Sequence, residues 1–225
     1  MAYINSREVL FSPIVNGVLD NEALQQADIY KKIFANEPLD LVIPDGVTIL
    51  CENQNIMYAP LTTESARGVD VQEITKQFFA NTSVETIDFP KLKIAKLSAF
   101  DGCTSLTEIN APALTTIGKN VILNTSNLTN MIVGVLTSTD QYSFRQTIRG
   151  YNGSLTVLEV GNGTSADLYL QYSTNYTQAT LHAIIENLAD LTGKTAKTFF
   201  VGDTNLAKID DEHKTILNNK NWIYQ

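Results

Sequence analysis

The residues Ile94-Ala-Lys-Leu-Ser-Ala-Phe100, Asp101-Gly-Cys-Thr-Ser-Leu106, Thr107-Glu-Ile109 and Asn110-Ala-Pro112-Ala-Leu114 decide how this chain folds. Their apolar positions recur on both sides. The preceding stretch supplies Ile74, Phe79, Val84, Ile87, Pro90 and Leu92 at matching places, and the following one Ile117, Leu123, Leu128, Met131, Gly134 and Leu136. Val84, Leu106 and Leu128 thus recur at about 22 residues, a period of stacked repeats. A unit this short cannot bury a core alone. Stacking builds one column from Val84, Leu106 and Leu128 and another from Ile87, Ile109 and Met131, with Phe79, Phe100 and Leu123 filling the far side of each coil.

A partial fourth copy places Leu155, Leu158 and Gly161 at the same spacing. The period there stretches to about 27, which implies an insertion between Thr137 and Gly153. Upstream, Leu41 to Ile49 reads as the strand-and-turn half of a worn first coil.

The string Ser98 to Ile109, followed by Pro112 and Ile117-Gly118, resembles the BspA-type leucine-rich repeat. The likeness covers Ile74 to Gly161 and is weaker where Asn-Thr-Ser stands at Asn81 to Ser83 and at Asn124 to Ser126. Members of that family occur on bacterial surface proteins and in phage structural proteins. The tail, from Leu181 to Thr195 and on through Phe200 to Ile209 and Trp222, resembles the module that follows such repeats in phage and prophage proteins.

On its own terms the tail reads as a cap. Leu181, Ile184, Ile185, Leu188 and Leu191 form an apolar stripe at helical spacing, with Thr180 as N-cap and Gly193 as the stop. Lys197 to Val201 reads as a strand, and Asp210 caps a second helix reaching about Asn218. Residues 20–34 read as a helix, with Leu24, Ile29, Ile33 and Phe34 apolar. The expected fold is therefore a β-rich α+β solenoid with a helical N-terminal segment and an α/β C-terminal cap. Its divisions are an N-terminal segment over 1–38 that either caps or attaches, repeats over 39–176, and the cap over 177–225.

Composition narrows the function. Charged residues make up 18% of the chain, below the usual quarter or so. A net charge of −8 disfavours nucleic acid and anionic membranes, both of which require clustered Lys and Arg. Cys51 and Cys103 have no metal-type spacing and are expected as free thiols. Met1 to Glu8 lacks the pattern of a secretory signal, so assembly in a host cytoplasm is expected.

Several stretches imitate catalytic motifs. Gly161-Asn-Gly163-Thr-Ser-Ala166 has dinucleotide-loop spacing, but Leu168, Leu170 and Tyr172 after it alternate as a strand does, which makes a repeat turn the better account. Gly193-Lys194-Thr195 ends a helix where a phosphate loop would open one. Asp210-Asp-Glu-His213 sits at a helix start, where acidic residues suit the dipole, and His182 belongs to another helix. No catalytic residue, metal or cofactor is expected.

The resemblance implies a non-enzymatic virion component of a bacteriophage (a fibre, decoration or tail-associated protein), with a secreted or surface-anchored bacterial adhesin as the alternative. Implied partners are other virion proteins and a host-surface protein or glycan, with self-association, as a trimer, common in that class. The outward positions between the buried columns are Glu85, Thr86 and Asp88, then Thr107, Glu108 and Asn110, then Thr129 and Asn130. Such a ladder suits hydrogen bonding to a glycan or a protein edge, and it also suits an ordinary solvated face.

Overall fold

A computed structural model describes residues 8–10, 18–19, 39–43, 45–50, 63–146 and 153–225. Each turn of chain lays one short strand in each of two parallel sheets. In the first sheet β1 (Glu8–Leu10), β3 (Leu39–Val42), β5 (Thr63–Arg67), β7 (Thr86–Asp88), β9 (Glu108–Ala111), β11 (Asn130–Val133) and β13 (Val157–Glu159) follow one another in order. The second holds β2 (Val18–Leu19), β4 (Ile49–Leu50), β6 (Glu73–Ile74), β8 (Ile94–Ala95), β10 (Thr116–Ile117) and β12 (Ser138–Thr139). Every second strand being a neighbour is the signature of a solenoid.

The expected columns are the core. Ile87, Ile109, Met131 and Leu158 are register partners and no more than 1% exposed. Val84, Leu106, Leu128 and Leu155 are fully buried. The insertion is also present: Asn130 pairs with Val157, whereas Thr86 pairs with Glu108 and Glu108 with Asn130. Buried Gln146 ties the coil together across it, donating to the Thr125 and Leu128 carbonyls at 2.9 and 3.0 Å and accepting from the Leu155 N–H at 2.9 Å.

Two positions differ from the sequence alignment. Phe79 donates its N–H to Ala99, and Phe100 to Val121, so Ile122 stands over Phe100 in place of Leu123. Leu123 is still buried, one place along. In the second sheet Ile74, Ala95 and Ile117 are partners, and Ile94 is half-buried between Glu73 and Thr116. Strand side chains alternate faces, so with two adjacent apolar residues register decides which one goes inward, not size.

The turns explain the degenerate copies. Asn81, Gly102 and Asn124 occupy equivalent sites with φ of 62°, 76° and 57°. Asn is the side chain that best tolerates this left-handed region, so it replaces glycine there at small cost. The next position is also shared: Thr82 and Thr125 donate to a carbonyl of their own turn at 2.9 and 2.6 Å, and Cys103 donates to Phe79 O in the preceding coil at 2.9 Å. Burial pushes the Cys103 thiol up to about 11.

The sheets do not stop at the boundary expected near residue 38. β1 pairs with β3 and β2 with β4, so residues on both sides of it belong to the same two sheets. Strand pairing joins β1 and β2 to the repeats. The helix expected over residues 20–34 lies outside the described residues, as does Cys51.

At the other end β14 (Leu168–Tyr169) leaves the stack and starts a three-stranded parallel sheet with β15 (Lys197–Phe200) and β16 (Trp222–Tyr224). Helix α1 (Gln178–Asn187) packs on β13, and α2 (Asp203–Leu206) and α3 (Asp211–Asn219) follow. The N-cap of α1 is Thr177, not Thr180: the Thr177 hydroxyl accepts the Thr180 N–H at 3.0 Å, freeing the Thr180 hydroxyl to donate to Thr156 in the last coil. The helix ends before Gly193, because Leu188 turns extended and bridges Thr164. Lys220 donates to the Ile185, Glu186 and Leu188 carbonyls at 3.2, 2.6 and 2.7 Å, satisfying acceptors that a helix end leaves open. Asp210 caps α3 as expected. Residues 161–166 form a turn, with Gly163 at φ 94°, and not a phosphate loop.

Candidate binding face

The outer surface of the first sheet carries three polar columns. Glu64, Glu85, Thr107, Thr129 and Thr156 make the first, joined by successive N–H to carbonyl bonds. Its threonines add a second link, since Thr107 Oγ1 donates to Glu85 O at 3.0 Å and Thr156 Oγ1 to Thr129 O at 3.1 Å. Asp40, Ser65, Thr86, Glu108, Asn130 and Val157 make the second, and Arg67, Asp88, Asn110, Ile132 and Glu159 the third, so apolar Val157 and Ile132 break the polar run in the last rungs. Ser65 donates to Asp40 at 2.8 Å and Asn110 to Asp88 at 2.8 Å, which fixes those side chains along the ladder.

All the outward residues expected from sequence are brought together. Glu85, Thr86, Asp88, Thr107 and Thr129 are exposed, and Glu108, Asn110 and Asn130 are half-buried. Asn130 Oδ1 is buried without a hydrogen-bond partner. The face extends further than sequence reasoning carried it, through Asp40, Glu64, Ser65 and Arg67 and through Thr156 and Glu159. The turn containing β5 was missed because Thr63-Glu-Ser-Ala-Arg67 has a single apolar residue, Ala66, at the core position. Its signal was the spacing to Thr86, not hydrophobicity.

Charge is segregated. Asp40, Glu64, Glu85, Asp88, Glu108 and Glu159 lie on this face against Arg67. Lys91, Lys93 and Lys96 lie along the second sheet, where they meet Asp70, Gln72 and Glu73. Parallel columns of carboxylates, hydroxyls and amides, repeated from rung to rung, can hydrogen-bond an extended, donor-rich partner.

A second cluster lies in the cap. Sequence separation places His182 and His213 on different helices, but α1 and α3 pack together and stack the two rings, with centroids 3.5 Å apart and planes at 14°. His213 Nδ1 lies 2.7 Å from Asp210 Oδ1. The Asp210 carboxyl is held below its ordinary value, first by the His213 N–H and then by its ring.

A two-sheet parallel solenoid that displays polar columns is the architecture of a leucine-rich-repeat protein. The family model for the BspA type leucine rich repeat region matches residues 27–150 in six copies, and the chain belongs to that family. No curated protein matches it, and no solved structure does. Among the described residues, no helix is long and apolar enough to cross a membrane.

Proposed function

We propose that the chain is a non-enzymatic recognition module that presents the outer face of its first sheet on a bacteriophage particle, as part of a fibre, decoration or tail assembly. The observation that carries the reading is the ladder of Glu85, Asp88, Glu108 and Asn110 with its flanking threonines, held in register by a rigid stack. Preorganised polar groups lose little freedom when they bind, so a face of this kind favours recognition of a glycan or an extended protein segment. Its excess of carboxylates selects a partner rich in hydroxyl or cationic groups. The virion context is drawn from the likeness of repeats and tail to phage members of the family. Self-association through the N-terminal segment, as a trimer, is part of the same reading.

The test has two arms. Antibodies against the solenoid should decorate gradient-purified particles in electron micrographs. Labelled protein should bind host cells saturably, and Glu85→Lys with Glu108→Lys should weaken that binding at least tenfold without changing the circular dichroism. Absence of the chain from particles would leave a bacterial surface adhesin using the same face. Cell binding that is indifferent to both substitutions would remove the face from consideration.

A further inference from the structure

The cluster in the cap has two buried nitrogens to account for. His182 Nε2 and His213 Nε2 are both buried and have no hydrogen-bond partner, and His213 as a residue is only 8% exposed. An imidazole nitrogen hidden from water without a partner is costly, and each such group calls for an explanation. Since the ionised Asp210 carboxylate can only accept, His213 Nδ1 donates to it, and an ion seated between them would take the place of that proton.

Two further oxygens face these nitrogens. Asp210 Oδ2 lies 3.6 Å from His182 Nε2, and Glu186 Oε1 lies 3.6 Å from His213 Nε2. His182 and Glu186 stand one turn apart on α1, as Asp210 and His213 do across the start of α3, so each helix contributes a nitrogen and an oxygen. One ligand atom each from His182, Asp210 and His213 lie within 4.8 Å of one another. Ligand atoms at about 2.05 Å from a tetrahedral ion are roughly 3.3 Å apart, close to the separations seen here.

We propose that His182, His213 and Asp210 form a binding site for a divalent transition-metal ion of the zinc class, clamping α1 to α3, with Glu186 at its rim beside His213 Nε2. Neutral imidazoles paired with carboxylates favour such an ion over calcium or magnesium, which take oxygen ligands. Binding at both rings requires one of them to rotate about χ2, a soft two-fold torsion. The rotation gives up a near face-to-face stack, which is not a preferred aromatic geometry. The exposed side chains of Glu186 and Asp210 form the rim through which an ion enters. An ion here would lock the cap that closes the last coil.

The test uses the full chain, stripped with a chelator and titrated with zinc chloride by calorimetry at pH 7.5. The expected result is one zinc per chain with Kd in the micromolar range or tighter, and a Tm raised by about 5 °C or more at a hundredfold excess over Kd. Cobalt should give the visible absorption of a low-coordinate site. His182→Gln, at a half-buried position, should keep the parent's circular dichroism and weaken binding at least tenfold, and Glu186→Gln should weaken it less. No saturable uptake at millimolar zinc would overturn the proposal and assign the two nitrogens to solvent. So would uptake that a folded His182→Gln leaves unchanged.

Discussion

Truncating Ile109 is the sharpest test of the repeat register. Its side chain is fully buried between Ile87 and Met131, and β9 stands mid-stack, so the substitution damages the contacts of a coil with both neighbours. Ile109→Ala should cost about 3 to 4 kcal/mol, combining lost transfer energy with the cavity that a rigid stack cannot close. For a chain of this length each kcal/mol lowers Tm by about 2 to 4 °C, so a fall of about 10 °C is expected. Ile109→Asp should cost more, on the order of 5 kcal/mol at neutral pH, and less at pH 4, where the buried carboxyl neutralises. The control is Glu108→Ala on the opposite face, expected within about 0.5 kcal/mol of the parent. Urea unfolding should be followed by two probes, because the single Trp222 is buried in the cap whereas far-ultraviolet dichroism reports the whole stack. In Ile109→Ala the dichroism transition should move to lower urea ahead of the tryptophan transition, as nearest-neighbour coupling requires. If Glu108→Ala costs as much as Ile109→Ala, the strands are out by one residue and the proposed face is core.

Asn124→Val should lose about 2 kcal/mol in the same assay, because a β-branched residue cannot hold φ 57° without strain, whereas Asn124→Gly should lose far less. In a Cys51→Ser background Cys103 should resist Ellman's reagent at pH 8 until denaturant is added, since its thiol is buried and titrates near about 11; rapid labelling of native protein would contradict the turn geometry. Lys220→Met should destabilise the cap by about 1 to 2 kcal/mol, seen as an earlier tryptophan transition, by removing the donor to the Ile185 and Glu186 carbonyls of α1 and to that of its C-cap Leu188. A chain beginning at Leu39 loses β1 and β2 but keeps the other rungs, so it should stay folded at a lower Tm, and light scattering should show whether self-association goes with the removed turn.

Much of the fold was written in the spacing of Val84, Leu106 and Leu128, because a stack places identical demands on each rung and so repeats its apolar residues. What escaped the reading did so for physical reasons. Strand β5 keeps its place by backbone pairing and offers Ala66 to the core, and β1 and β2 are too short to alternate visibly. The binding columns were legible where neighbouring rungs were legible and stopped where they stopped. The histidine pair was invisible because it arises from packing between α1 and α3, with 30 residues of chain and the strand β15 in between, and no periodicity marks it.

The rungs are joined by hydrogen bonds that run along the solenoid axis, and this sets how the molecule meets a pull. Tension between the first strands and the cap loads one rung at a time, so the stack yields by peeling and not by shear. Thr86 lies over Glu108, so releasing that turn frees 22 residues, or roughly 75 Å of contour once extended. A stack built this way lengthens in steps under load, giving up its energy rung by rung.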